Sequence, residues 1–204
     1  MIRCVVFDFD GTLVLSNRIK RDTFLDVAAD FPDGPAVMAG ILQRSPGDRA
    51  AIASEFAAAV GAASEAGNLI DRYTGLCEQR IAACPDRAGA AELLTSLRQR
   101  RVRLHVNSST PADALQRLVS LRYPGGTFDG VHGGYGCKLW NLRAIARHDR
   151  IDAGEVAMVG DGTDDMAAAR EFGCRFIGVA GGTLSAQREP LIEDLQSVAD
   201  MLWR

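Results

Sequence analysis

Lysine is nearly missing from this chain. Lys20 and Lys138 are its two lysines, against 21 arginines and 30 alanines, a bias that reads as a genome-level preference and gives each surviving lysine added interest. Missing too is any run of about 20 uninterrupted apolar residues, the length a membrane helix needs, so no span and no membrane partner are expected. Acidic residues appear by Asp8 with no cleavage-type site after a long apolar run, so no signal peptide is expected at the N-terminus. The five cysteines (Cys4, Cys77, Cys84, Cys137, Cys174) are odd in number, scattered and never CxxC-spaced. That excludes a disulfide or zinc framework by spacing and points to reduced thiols in a cytoplasmic protein. There is no excess of basic charge either: the formal net charge is −3, which argues against a nucleic-acid partner. Internal repeats and low-complexity tracts are absent.

What remains is an ordinary globular composition. With 47% apolar and 24% charged residues, wholesale disorder is ruled out, and 204 residues suffice for one domain or a core carrying an insertion. Short apolar runs alternate with helical patterns from about residue 86 onward, the mark of an α/β sheet. The runs are Cys4–Phe7, Val102–Val106, a weaker one around Phe128–His132, Val156–Val159 and Arg175–Val179. Each is followed by a helix-length segment, so a parallel five-stranded, Rossmann-like sheet with right-handed crossovers is expected. The first and fourth runs are apolar throughout, as strands buried on both faces should be.

Residues 17 to 83 break this rhythm. The Ala-rich pieces Arg18–Ala29, Asp48–Val60 and Ala66–Ala83 have helical spacing, with punctuation at Phe31–Pro35 and at Ser45, Pro46 and Gly47. An all-helical insertion over residues 16–85 is expected, dividing a core domain of residues 1–15 and 86–204. Val37, Met38, Ile41 and Leu42 are candidates for its packing face.

The polar residues gather after the strands, where open parallel sheets bind their ligands. Asp8, Asp10 and Thr12 follow the first run, Ser108 and Ser109 the second, and Asp161, Asp164 and Asp165 the fourth; Lys138 lies on the connection leading to that fourth run. Converging carboxylates repel one another unless a cation sits among them, and an all-oxygen ligand set suits Mg²⁺. One lysine and small hydroxyls beside such an ion would hold a phosphoryl group. An Asp carboxylate can attack phosphorus, and a second Asp two residues along can protonate the leaving group. Thr163, Asp164 and Asp165 also suit the start of the next helix, where they would cap it and complement its dipole. His105 reads as a packed core residue and His132 and His148 as surface, with no ligand spacing that favours zinc.

These residues resemble the motifs of the haloacid dehalogenase superfamily. Asp8-Phe9-Asp10-Gly11-Thr12 looks like its first motif, Val106-Asn107-Ser108 its second, Lys138 its third, and Gly160-Asp161-Gly162-Thr163-Asp164-Asp165 its fourth. The resemblance covers the whole chain, and a helical insertion after the first motif resembles the type-one cap of phosphoglycolate-phosphatase-like members. It implies Asp8 as nucleophile, Asp10 as acid and base, and Mg²⁺ held by the Asp8 carboxylate, the Asp10 main-chain carbonyl and Asp161. Asp165 would lie in the ion's outer shell or reach it through water. Lys138, Ser108, the Ser109 backbone and the Gly11–Thr12 amides would face the phosphate, and Lys20 and Arg49 of the insertion the rest of the substrate. A phosphate-monoester hydrolase acting on a small phosphorylated metabolite is expected, as a monomer or homodimer. A phosphomutase on the same core, or a binding protein that has kept the fold and lost turnover, are the alternatives.

Overall fold

In a computed structural model, residues 1–44, 48–123, 125–134, 136–184 and 190–203 are described. The punctuation at Ser45, Pro46 and Gly47 lies outside them. The chain forms two compact units, Met1–Leu15 with Cys84–Arg204, and Ser16–Ala83.

The first unit is built on a parallel sheet. Its strands are β1 (Cys4–Phe7), β2 (Arg103–Ser108), β3 (Gly130–Gly133), β4 (Val156–Gly160), β5 (Arg175–Val179) and β6 (Leu191–Ile192), in the order β3-β2-β1-β4-β5-β6. Six strands replace the expected five, because β6 is two residues long and follows Pro190, too short to show any alternation. Strand β1 is central: Phe7 pairs with Val106 on one side and Val159 on the other, and every β1 residue is 0% exposed. This explains why its four residues are all apolar, since neither face meets water.

Helices of this unit are α5 (Ala90–Gln99), α6 (Ala112–Arg122), α7 (Lys138–Asp149), α8 (Thr163–Phe172) and α9 (Val198–Trp203). Leu142 and Ile145 of α7 and Ala168 and Ala169 of α8 pack on Cys4, Val6, Val156 and Met158 of the sheet. The small alanines let α8 lie close to the strands. Because the chain leaves β1 for β2 on one side and returns through β4 on the other, a crevice opens at the carboxyl end of β1.

The second unit holds α1 (Asn17–Ala28), α2 (Gly34–Gln43), α3 (Arg49–Ala59) and α4 (Ala66–Ala82). Helix α2 begins inside the Phe31–Pro35 segment read as punctuation, because Pro35 in the first turn has no amide to leave unpaired there. Met38 and Ile41 are buried, while Val37 and Leu42 are half-buried. Phe24 of α1 stacks on Tyr73 of α4 with ring centroids 3.8 Å apart, and Phe31 meets Phe56 of α3 edge-on at 5.4 Å. Among the described residues, no helix is long and apolar enough to cross a membrane.

Candidate active site

The chain turns immediately after β1. The Asp8 amide still donates to Val159 O at 2.8 Å, holding the residue to β4, and the loop then closes through Gly11 N–H to Val14 O at 2.8 Å. Gly11 sits at φ 80°, where a side chain would be strained. This closure also corrects one expectation: the Gly11 amide is spent on Val14 and is not free for a phosphate oxygen. Thr12 is fully buried, and its Oγ1 has no hydrogen-bond partner among the described residues.

Arg87, which no sequence signal singled out, holds this loop from below. Its guanidinium donates to Thr12 O at 3.1 Å, to Gly11 O, to Ala180 O at 2.9 Å and to Glu193 O at 2.7 Å. One buried cation thus ties the loop after β1 to the ends of β5 and β6, satisfying carbonyls that burial would otherwise orphan.

Asp8, Asp161 and Asp165 are buried, and their carboxylate oxygens lie within 4.8 Å of one another. Asp161 follows β4 directly. Its carbonyl accepts from Leu184 N–H at 3.2 Å, and a Cβ at Gly182 would collide with both that carbonyl and Asp161 Oδ2. The loop after β5 can fold over Asp161 only because residue 182 has no side chain. Asp165 is 0% exposed and does two jobs, capping α8 through Gly162 N–H at 2.9 Å and pairing with Lys138.

Lys138 opens α7, where the helix dipole disfavours a cation. Three carboxylates offset this: Nζ lies 3.2 Å from Asp8, 3.0 Å from Asp164 and 2.5 Å from Asp165. Burial pulls the Lys138 ammonium toward deprotonation, but Asp8, Asp165 and Asp164 hold its pKa well above the usual lysine range. The Lys138 carbonyl accepts from Asn107 Nδ2 at 2.9 Å, and Asn141 in turn donates to Asn107 Oδ1 at 2.9 Å. Asn107, at the end of β2, fixes where α7 starts; the sequence places it in the second motif but gives no sign of these partners.

The electrostatics are unbalanced. Burial pushes the Asp8 carboxyl well above its ordinary range, and Asp165, Asp161 and Asp10 add to this while Lys138 opposes it. Burial likewise raises Asp165 to about 6 despite Lys138. Asp164 goes the other way, since Lys138 and Ser109 outweigh its burial. One lysine does not neutralise these carboxylates. The donor set, all oxygen and rich in carboxylates, fits a hard divalent cation.

Ser108 ends β2 and is buried; its Oγ accepts the Thr110 amide at 3.2 Å, which leaves the hydroxyl proton to donate. Ser109 turns its hydroxyl to Asp164 at 3.3 Å. Asp10 is buried and its Oδ2 accepts from Thr110 Oγ1 at 2.7 Å, a contact that strand patterns could not reveal. Lys20 lies half-buried on α1, while Arg49, on α3, bonds Thr74 at 3.3 Å and lies 5.6 Å from the Tyr73 ring centroid.

The family model described as haloacid dehalogenase-like hydrolase matches residues 2–173. Among curated proteins no sequence matches. Several solved structures share the fold. One is described as a predicted phosphoglycolate phosphatase of Haemophilus somnus, 18% identical over 98% of this chain and 97% of its own, with a TM-score of 0.77. CbbY of Rhodobacter sphaeroides, solved in complex with phosphate, is 17% identical over 97% of this chain and 96% of its own, with a TM-score of 0.74. A subfamily IA hydrolase of Geobacter sulfurreducens is 19% identical over 98% and 96%, with a TM-score of 0.72.

Proposed function

The chain belongs to the haloacid dehalogenase-like hydrolases, and from that premise we propose a Mg²⁺-dependent phosphatase that cleaves a small phosphate monoester through an aspartyl-phosphate on Asp8. The observation that carries this reading is the Asp8 carboxylate: buried, touching Lys138, grouped with Asp161 and Asp165, and followed two residues later by Asp10.

Asp8 would attack phosphorus in line, forming the Asp8 O–P bond as the P–O bond to the ester oxygen breaks. Asp10 delivers a proton to that departing oxygen, then takes one from the water that splits the aspartyl-phosphate and restores Asp8. Lys138 and the Ser108 hydroxyl offset charge on the non-bridging oxygens, the kind of positioning and electrostatic help that dominates phosphoryl transfer. A Mg²⁺ ion would be held by Asp8, the Asp10 carbonyl and Asp161, with Asp165 behind them. When bound it supplies the missing positive charge and keeps Asp8 ionised. Lys20 and Arg49 of the helical unit Ser16–Ala83 are the cationic candidates for recognising the organic part of the substrate. A small phosphorylated metabolite fits this reading, and a CbbY variant in the same fold is described in complex with xylulose-(1,5)bisphosphate.

The test is release of nitrophenol from p-nitrophenyl phosphate with Mg²⁺ and with excess EDTA, followed by a screen of phosphorylated metabolites. Turnover that needs Mg²⁺ and disappears in Asp8→Asn is expected. Equal turnover in EDTA, or an active Asp8→Asn, would overturn the assignment.

A further inference from the structure

We propose that Thr110 is the positioning residue for Asp10, holding its carboxyl in the orientation from which it serves the leaving group; this rests on the acid–base reading of Asp10 above. The Thr110 hydroxyl donates to Asp10 Oδ2 at 2.7 Å, and both residues are buried, 4% and 7% exposed. This bond turns Oδ2 toward Thr110 and so fixes the plane of the Asp10 carboxyl.

Thr110 is itself held. Its amide donates to Ser108 Oγ at 3.2 Å, and its carbonyl accepts from Gly134 N–H at 2.9 Å. Backbone contacts on both sides, together with a β-branched side chain of few rotamers, fix where the hydroxyl points. The same residue therefore serves two partners. Through its side chain it orients the acid, and through its amide it occupies the acceptor side of Ser108, leaving that hydroxyl proton for a phosphate oxygen. A threonine at the mouth of β2 thus couples proton delivery to phosphate binding, across 100 residues of sequence.

A merely structural threonine would, when replaced, slow all substrates alike. A residue that aims the acid matters in proportion to how badly the leaving oxygen needs a proton. The experiment compares kcat/KM for p-nitrophenyl phosphate, whose phenolate departs readily, with that for a simple alkyl phosphate, whose alkoxide must be protonated. Asp10→Asn calibrates the comparison and should penalise the alkyl ester far more than the aryl one. Thr110→Val should show the same selectivity, losing roughly tenfold more on the alkyl ester than on the aryl ester. Thr110→Ser, which keeps the hydroxyl, should return the ratio to within about threefold of the parent. Thr110→Ala reads the same ratio should the valine variant fold poorly.

If Asp10→Asn slows both esters equally, the acid–base reading of Asp10 fails. If Asp10→Asn discriminates and neither Thr110→Val nor Thr110→Ala does, Asp10 keeps its role and the positioning role of Thr110 is wrong.

Discussion

Two buried clusters of ligating side chains occupy opposite ends of strand β1, and they meet the cost of burying charge in different ways. At the carboxyl end, Asp8, Asp161 and Asp165 converge with Lys138 as the cation among them. At the amino end, Cys4, His105 and Asp149 also bring their ligand atoms within 4.8 Å. There Asp149 is fully served: His105 Nε2 and His148 Nδ1 each lie 2.9 Å from one of its oxygens, and His132 Nε2 lies 3.2 Å from His105 Nδ1. Hydrogen bonds from His148 and His105 outweigh burial and hold the Asp149 carboxyl below its ordinary range, whereas Asp8 is driven above its own. One cluster is balanced by its own residues. The other gathers carboxylates that could hold a cation from outside, which is why it is the candidate site.

The sharpest break in this comparison comes from Asp8→Asn. Turnover of p-nitrophenyl phosphate should fall by on the order of a thousandfold or more, because the proposed nucleophile has gone. The metal-free variant at pH 7 should melt no lower than its parent, since a repelling carboxylate has gone. A clear loss of melting temperature would mean that Asp8 is part of the structural framework.

Asp149→Ala should do the reverse. Removing the partner of buried His105 should cost about 3 kcal/mol in urea unfolding while leaving kcat per folded molecule within about twofold. Loss of activity without loss of stability would show that the two ends of β1 are functionally coupled. Smaller still, Gly182→Ala should raise the Mg²⁺ concentration for half-maximal activity by roughly tenfold, because its Cβ displaces Asp161. An unchanged Mg²⁺ response would remove Asp161 from the ion's ligands.

Asp165 and Asp149 should then answer pH with opposite sign. Asp165, raised to about 6, favours the fold while protonated, so its contribution is complete below the unfolded value of 3.8 and is lost as pH rises through 6. Asp149 and Asp129 are lowered instead; their contributions are present above 3.8 and are lost as pH falls below it. Asp129 reaches its lowered state against its own burial through the Leu104 amide, Arg103 and Arg98. Through these groups the metal-free protein should therefore melt highest near about pH 4 and lose stability as pH rises to 6 and beyond, and Mg²⁺ should recover stability on the alkaline side alone. Equal stabilisation by Mg²⁺ at pH 4 and pH 7 would contradict this account.

Strands β1 and β4 were legible because double burial leaves only apolar residues, and a periodic signal needs no knowledge of partners. Strand β6 was not, since two residues hold no period. Lys138 drew attention through rarity, while Arg87 disappeared among 21 arginines, although it holds the loop that carries Asp8 and Asp10. His132 read as surface and is half-buried, because its strand places it beside His105. Cys4, His105 and Asp149 have no ligand spacing along the chain, and their meeting follows from the pairing of β1 with β2 and the length of α7.

By itself the sequence determined the order of the strands' polar ends and the kinds of group found there: carboxylates after Phe7 and Gly160, hydroxyls after Asn107, one rare lysine. Those are local properties, carried by residue type and short spacing. The tertiary structure alone decided which atoms meet: Thr110 with Asp10, Gly182 against Asp161, Arg87 under the β1 loop, and the Gly11 amide turned inward to Val14. A hydrogen bond near 3 Å depends on strand register and on where each helix begins, and both are set by packing between segments far apart in the chain.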